Sequence, residues 1–308
     1  MTKSLWFDPF YLENFGLLFG FFFLLLIPLY FLKKNNVTFQ ASWASVISWI
    51  YVLPVLFFFI GLKSPGPKVF MTLIAFYSAK TFFMMVGMYH RHIFVYTTYL
   101  GILFCSLALH LEHDVLFFVA PALMLFFYCC IPVVLNHTRN MVQYISLSFL
   151  TFCLFGWGLV FSTKLLSLPM GVYMLLYLYI LSEFSGNLTN MLSYFSPGPI
   201  IAPQVSSKVK WLGALFSLAI TVFLAWGFRR LLFNDGMDYW LVAGVVCFFS
   251  ATIGEWALSA FRKDLGLKNQ GVFIIGRGDI LSRTNRLIFS YPAFTFYIWA
   301  IGDITFSV

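Results

Sequence analysis

The sequence predicts an all-α fold, a polytopic bundle of about ten transmembrane spans (eight to ten are admissible) with no soluble domain. Three observations carry this expectation. Hydrophobic residues make up 61% of the 308 and charged residues 10%, where soluble domains run at roughly 45–50% and about 25%. The 40 phenylalanines are more aromatic surface than a water-facing exterior carries. Finally, ten stretches approach the roughly 20 apolar residues that cross about 30 Å of hydrocarbon as a helix.

In order, these stretches are 15–32, 43–62, 69–88, 94–110, 114–134, 143–163, 169–188, 211–230, 238–260 and 286–305. The first follows Lys3, but Asp8 and Glu13 interrupt the leader and no small-residue cleavage site follows, so it reads as a span and not a removable signal. Only Leu111-Glu112-His113 separates the fourth from the fifth, which leaves a smaller count open. The five cysteines lie inside apolar runs and read as small buried hydrophobes. The chain reads as one membrane domain, 1–308, with N-terminal spans in 1–180.

A net charge of +8 would suggest nucleic acid in a soluble chain, but basic residues flanking spans meet anionic headgroups instead, and no nucleic-acid module is present. Alternate loops divide the cations twelve against six, with Lys80 left inside a span. The positive-inside rule makes the richer side cytoplasmic and puts both termini outside; with no soluble extension, a bacterial inner membrane is the expected location. Two polar segments fall on the richer side. Segment 189–210 contains Ser196-Pro-Gly-Pro199, and 261–286 packs six basic residues with Gly266, Gly271, Gly276 and Gly278. Long polar loops between tight spans are where function concentrates, and these two could form one site.

Glu183, Glu255 and Lys80 lie within apolar runs, where a charge costs at least about 2.5–3.5 kcal/mol and needs a partner or a wet cavity. Two readings follow, an internal Lys80–Glu pair or the lining of a polar site, besides snorkelling of a charge near a span end to the interface. The pairs His90/His92 and His110/His113 fall on opposite faces, so they read as headgroup-level residues and not a shared metal site.

Basic side chains beside backbone-exposing glycines suit a phosphate-bearing ligand. Lys208, Lys210, Arg262, Lys263, Lys268, Arg277 and Arg283 are the candidate phosphate or nucleotide contacts. The pattern of Ser259, Arg262-Lys263, Lys268, Gly271, Gly276, Gly278, Ile280-Leu281 and Arg283, with its spacing, resembles the C-terminal signature of the phosphatidate cytidylyltransferases, or CDP-diacylglycerol synthases. Leu181-Ser182-Glu183, Pro203-Gln204-Val205-Ser206 and Trp211-Leu212-Gly213 resemble the family's central block, so 181–308 reads as the cytidylyltransferase-like part. The resemblance implies membrane chemistry that joins CTP to a lipid phosphate with Mg²⁺, with phosphatidate or another anionic phospholipid as partner. It also implies a possible homodimer or membrane-protein partner.

The departures from the pattern fall on acids. The family's Asp-Arg-x-Asp reads Ser282-Arg283-Thr284-Asn285, its Lys-Asp reads Lys268-Asn269, and Gly186 stands where many relatives carry an acid. Glu183 and Asp279 remain as candidate metal ligands, Asp279 reading equally as a helix cap. Mg²⁺ prefers anionic oxygens, so catalysis is expected to be impaired or altered. The alternatives are an active CTP-dependent enzyme and a non-catalytic headgroup-binding or partner subunit. A transporter would require internal repeats or broken helices that the sequence lacks.

Overall fold

The computed structural model describes residues 4–32, 37–206, 208–234, 236–266 and 280–302. Helices occupy each of the ten predicted stretches: α1 Pro9–Leu32, α2 Val37–Ile60, α3 Gly66–Met85, α4 His92–His110, α5 Asp114–Leu135, α6 Met141–Leu165, α7 Gly171–Phe195, α8 Trp211–Gly227, α9 Met237–Asp264 and α10 Leu287–Ala300. The turn Leu281–Thr284 precedes α10. Among the described residues, the β-structure is one isolated bridge between Ile200 and Lys210. Lipid is the solvent for the outer surface, since Leu100, Phe126 and Phe223 are each more than 60% exposed. Among the described residues, five helices (α3, α4, α5, α6 and α9) are long and apolar enough to cross hydrocarbon. The chain is an integral membrane protein.

Boundaries depart from the expectation where polar groups satisfy the helix. α1 begins at Pro9, not at 15, because Asp8 Oδ1 accepts the Phe10 N–H at 3.2 Å and proline suits the first helical position. α7 continues to Phe195, past the predicted end at 188, because its polar side chains bond back to their own helix. Asn187 Nδ2 donates to Glu183 O at 3.0 Å, Thr189 Oγ1 to Ser185 O at 2.9 Å and Asn190 Nδ2 to Gly186 O at 3.1 Å. α4 and α5 are separate spans, parted at Glu112 with φ of 61°.

α7 is the axis of the bundle. Every residue from Val172 to Glu183 is buried, as a helix apolar on all sides requires. α8 and α9 pack on α7 and on each other, and α10 closes against α9, α7 and α6. Small residues set these distances, since a Cβ at Gly213 would meet Ser193 Cα at 2.4 Å and one at Gly244 would meet Val222 Cα at 3.0 Å. Hydroxyl pairs link the helices, Ser182 to Ser290 at 2.8 Å and Thr189 to Ser217 at 2.8 Å.

α6 joins this group to α3, α4 and α5, and residues 152–158 within it take π geometry. Pro121 in α5 removes the donor for the carbonyl of Phe117, and Trp157 Nε1 supplies one at 3.0 Å. Trp157→Phe is expected to lower stability by about 1–3 kcal/mol by leaving that carbonyl unsatisfied; unfolding in detergent micelles measures it, and an unchanged midpoint would sink the assignment. Lys164 of α6 also pairs with buried Asp114 of α5 at 2.7 Å.

Candidate functional site

A buried ionic cluster lies where α7, α9 and the turn before α10 meet. α7 carries Glu183 into the centre of the bundle, α9 carries Glu255, and Arg286 is the last residue before α10. Arg286 Nη1 donates to Glu183 Oε2 at 3.0 Å and to Glu183 O at 3.1 Å, while Nη2 donates to Glu255 Oε2 at 3.1 Å. The Glu183 side chain is 5% exposed, Arg286 10% and Glu255 35%. Asn190 Nδ2 donates to the other Glu255 oxygen at 3.1 Å. A charge at this depth persists only with such partners.

Of the two readings of the intramembrane charges, the Lys80–Glu pair is not the one formed. Arg286 is the partner of both glutamates, and Lys80 instead places its ammonium 5.8 Å from the ring centre of Tyr89.

Backbone proximity makes the cluster possible. A Cβ at Gly186 would lie 2.6 Å from Arg286 Cζ, so the guanidinium uses space that a side chain there would fill. A Cβ at Gly254 would lie 2.0 Å from Asn285 O, so the turn rests directly on the α9 backbone. Asn285 is buried and turns Nδ2 toward Gly254 O at 3.4 Å. Arg283 reaches the other way, its guanidinium 5.3 Å from the ring centre of Trp49 in α2 and bonded to Ser48 Oγ. Ser282 is half-buried. Glu183 Oε1, Asn285 Oδ1, Arg286 Nε and Trp49 Nε1 are buried without hydrogen-bond partners among the described residues.

The two polar segments meet beside this cluster. Lys210 Nζ donates to Ser196 O at 2.8 Å and Ile201 N to Val209 O at 2.9 Å, folding 196–210 back on itself. Ser259 Oγ then donates to Val205 O at 3.0 Å and Lys263 Nζ to Gln204 O at 2.8 Å, fastening the loop to the end of α9. Two candidate phosphate contacts, Lys210 and Lys263, therefore commit their ammonium groups to loop carbonyls. Lys208 is exposed near the end of the loop, and Arg262 is half-buried on α9. Lys268, Asn269, Arg277 and Asp279 lie outside the described residues.

Sequence reasoning left Asn190, Ser48 and Trp49 out of the site. Asn190 was within reach, because it stands seven residues after Glu183 and so shares its helical face. Nothing local marked Ser48 and Trp49, which reach the site only through packing of α2 on α7.

Fold and site together define an all-α membrane protein with a carboxylate–guanidinium cluster beneath a basic, loop-covered end. The Cytidylyltransferase family profile matches residues 43–301, and the chain belongs to that family. The match begins within α2 and runs to the end of α10. A phosphatidate cytidylyltransferase of Haemophilus influenzae is 25% identical over 142 residues, 42% of this chain and 47% of that protein. Phosphatidate cytidylyltransferase 5, chloroplastic, of Arabidopsis thaliana is 31% identical over 100 residues, 31% of this chain and 24% of that protein. The Escherichia coli protein YnbB is 36% identical over 58 residues, 19% of this chain and 20% of that protein. The chain thus spans less than half the length of each of these relatives in the aligned regions.

Proposed function

We propose that this protein is a phospholipid-handling member of its family whose cytidylyltransferase chemistry is impaired or altered. Its ligand is the phosphate of an anionic lipid such as phosphatidate, with CTP as co-substrate only in whatever activity remains. The motif loops face the cytoplasm, by the twelve-to-six division of Lys and Arg, and the membrane is a bacterial inner membrane.

One observation carries the reading: the position of the family's last carboxylate is Asn285, a buried neutral amide turned toward Gly254 O. Mg²⁺ requires hard anionic oxygens in near-octahedral array. The two acids that approach each other share Arg286, which lies where a metal ion between them would have to sit. This pair, so arranged, does not fit Mg²⁺. The basic side chains of the motif region, Lys208 and Arg283 among them, supply donors that suit a lipid phosphate.

Purified protein with radiolabelled CTP, phosphatidate and Mg²⁺ is expected to form no more lipid-linked CMP than a mock preparation. Turnover clearly above the mock would overturn the reading in favour of a conventional enzyme. In the same preparation, phosphatidate binding without nucleotide is expected to weaken about tenfold or more in Arg283→Ala, the scale of a lost charge-assisted hydrogen bond.

A further inference from the structure

Glu183, Glu255 and the Cα of residue 186 surround one small volume, and the Arg286 guanidinium fills it. Each carboxylate gives one oxygen to the guanidinium, at 3.0 and 3.1 Å. The second Glu255 oxygen is held by Asn190 at 3.1 Å. A divalent ion approaching these acids would meet a positive group already at contact distance, buried where screening is weak. Proton loss cannot clear the space, because arginine stays charged.

Steric facts tie this arrangement to residue 186. A Cβ there would lie 2.6 Å from Arg286 Cζ, 2.7 Å from Nε and 2.9 Å from Nη1. A side chain at 186 would have to displace the guanidinium from the place it now holds.

We propose that Arg286 is the resident cation of this site, admitted by Gly186 and closing the Glu183–Glu255 pair to divalent metal. The inference rests on the reading of altered chemistry above and names its physical cause.

The test uses the full chain in detergent micelles with Mn²⁺ alone as probe, followed by electron paramagnetic resonance, and unfolding midpoints in parallel. Wild type is expected to hold no Mn²⁺ that Glu183→Gln removes. Gly186→Asp with Arg286→Ser is expected to gain saturable Mn²⁺ binding that Mg²⁺ displaces, and a midpoint that rises as Mn²⁺ is added, while the wild-type midpoint does not move. Mn²⁺ bound to wild type and lost in Glu183→Gln would overturn the inference, as would a double variant that gains no Mn²⁺ and whose midpoint Mn²⁺ does not raise. Mn²⁺ that Glu183→Gln leaves in place is bound elsewhere and agrees with the expected result. Lipid-linked CMP formed without Mn²⁺ at Glu183 would sink the proposed function and leave the resident cation standing; Mn²⁺ at Glu183 without turnover would do the reverse.

Discussion

Arg286→Met is expected to destabilise the protein by about 3–5 kcal/mol, the scale of breaking a buried ion pair from one side. The loss comes less from the attraction removed than from what stays behind. Glu183 would keep a buried carboxylate with no cation, and Glu255 would keep only the amide of Asn190. Adding Glu183→Gln is expected to restore part of the stability, since a neutral amide costs less to bury than an unpaired carboxylate. Unfolding in micelles followed by circular dichroism measures both variants. A single variant within about 1 kcal/mol of wild type would show that the cluster does not hold the helices together.

Gly254→Ala is expected to cost about 2–3 kcal/mol, because overpacking against rigid backbone leaves no side chain to move aside. The added Cβ would sit 2.0 Å from the carbonyl oxygen of Asn285 and force the turn away from α9. Arg286 follows Asn285 directly, so the same change draws the guanidinium off Glu255. Gly16 and Gly20 of α1 serve as controls, since an added Cβ at either meets nothing within 4 Å. Alanine at these positions is expected to be neutral or to stabilise the helix by up to about 1 kcal/mol. Equal losses at Gly254 and Gly16 would remove the packing explanation.

The ten helices were legible because a membrane bundle leaves long apolar runs in the sequence, and a helix occupies each of the ten runs. Their ends were less legible. The extension of α7 to Phe195 depends on Asn187, Thr189 and Asn190 folding their side chains back onto carbonyls, a conformational choice that composition does not announce. The candidate site was legible in its parts and not in its wiring. Glu183 and Glu255 stood out as charges in apolar runs, and the expectation that each has a partner was sound physics. The partner lies 103 residues beyond Glu183, and only the close packing of Gly186 and Gly254 brings it in. Lys210 and Lys263 show the same limit: their charge was visible, while their use as loop staples depends on where Ser196 O and Gln204 O come to lie.

The distance along the chain between Glu183 and Arg286 has a consequence for biogenesis. α7 enters the bilayer with its glutamate while the arginine that neutralises it is still 103 residues from being synthesised. At about 5–20 residues per second, that interval lasts roughly 5–20 s. Throughout it the central helix waits without its partner until α10 follows and delivers the counter-charge. Maturation of the cluster is therefore timed by the arrival of α10, and a ribosome that stops before residue 286 leaves α7 with a charge stranded at the axis of the bundle.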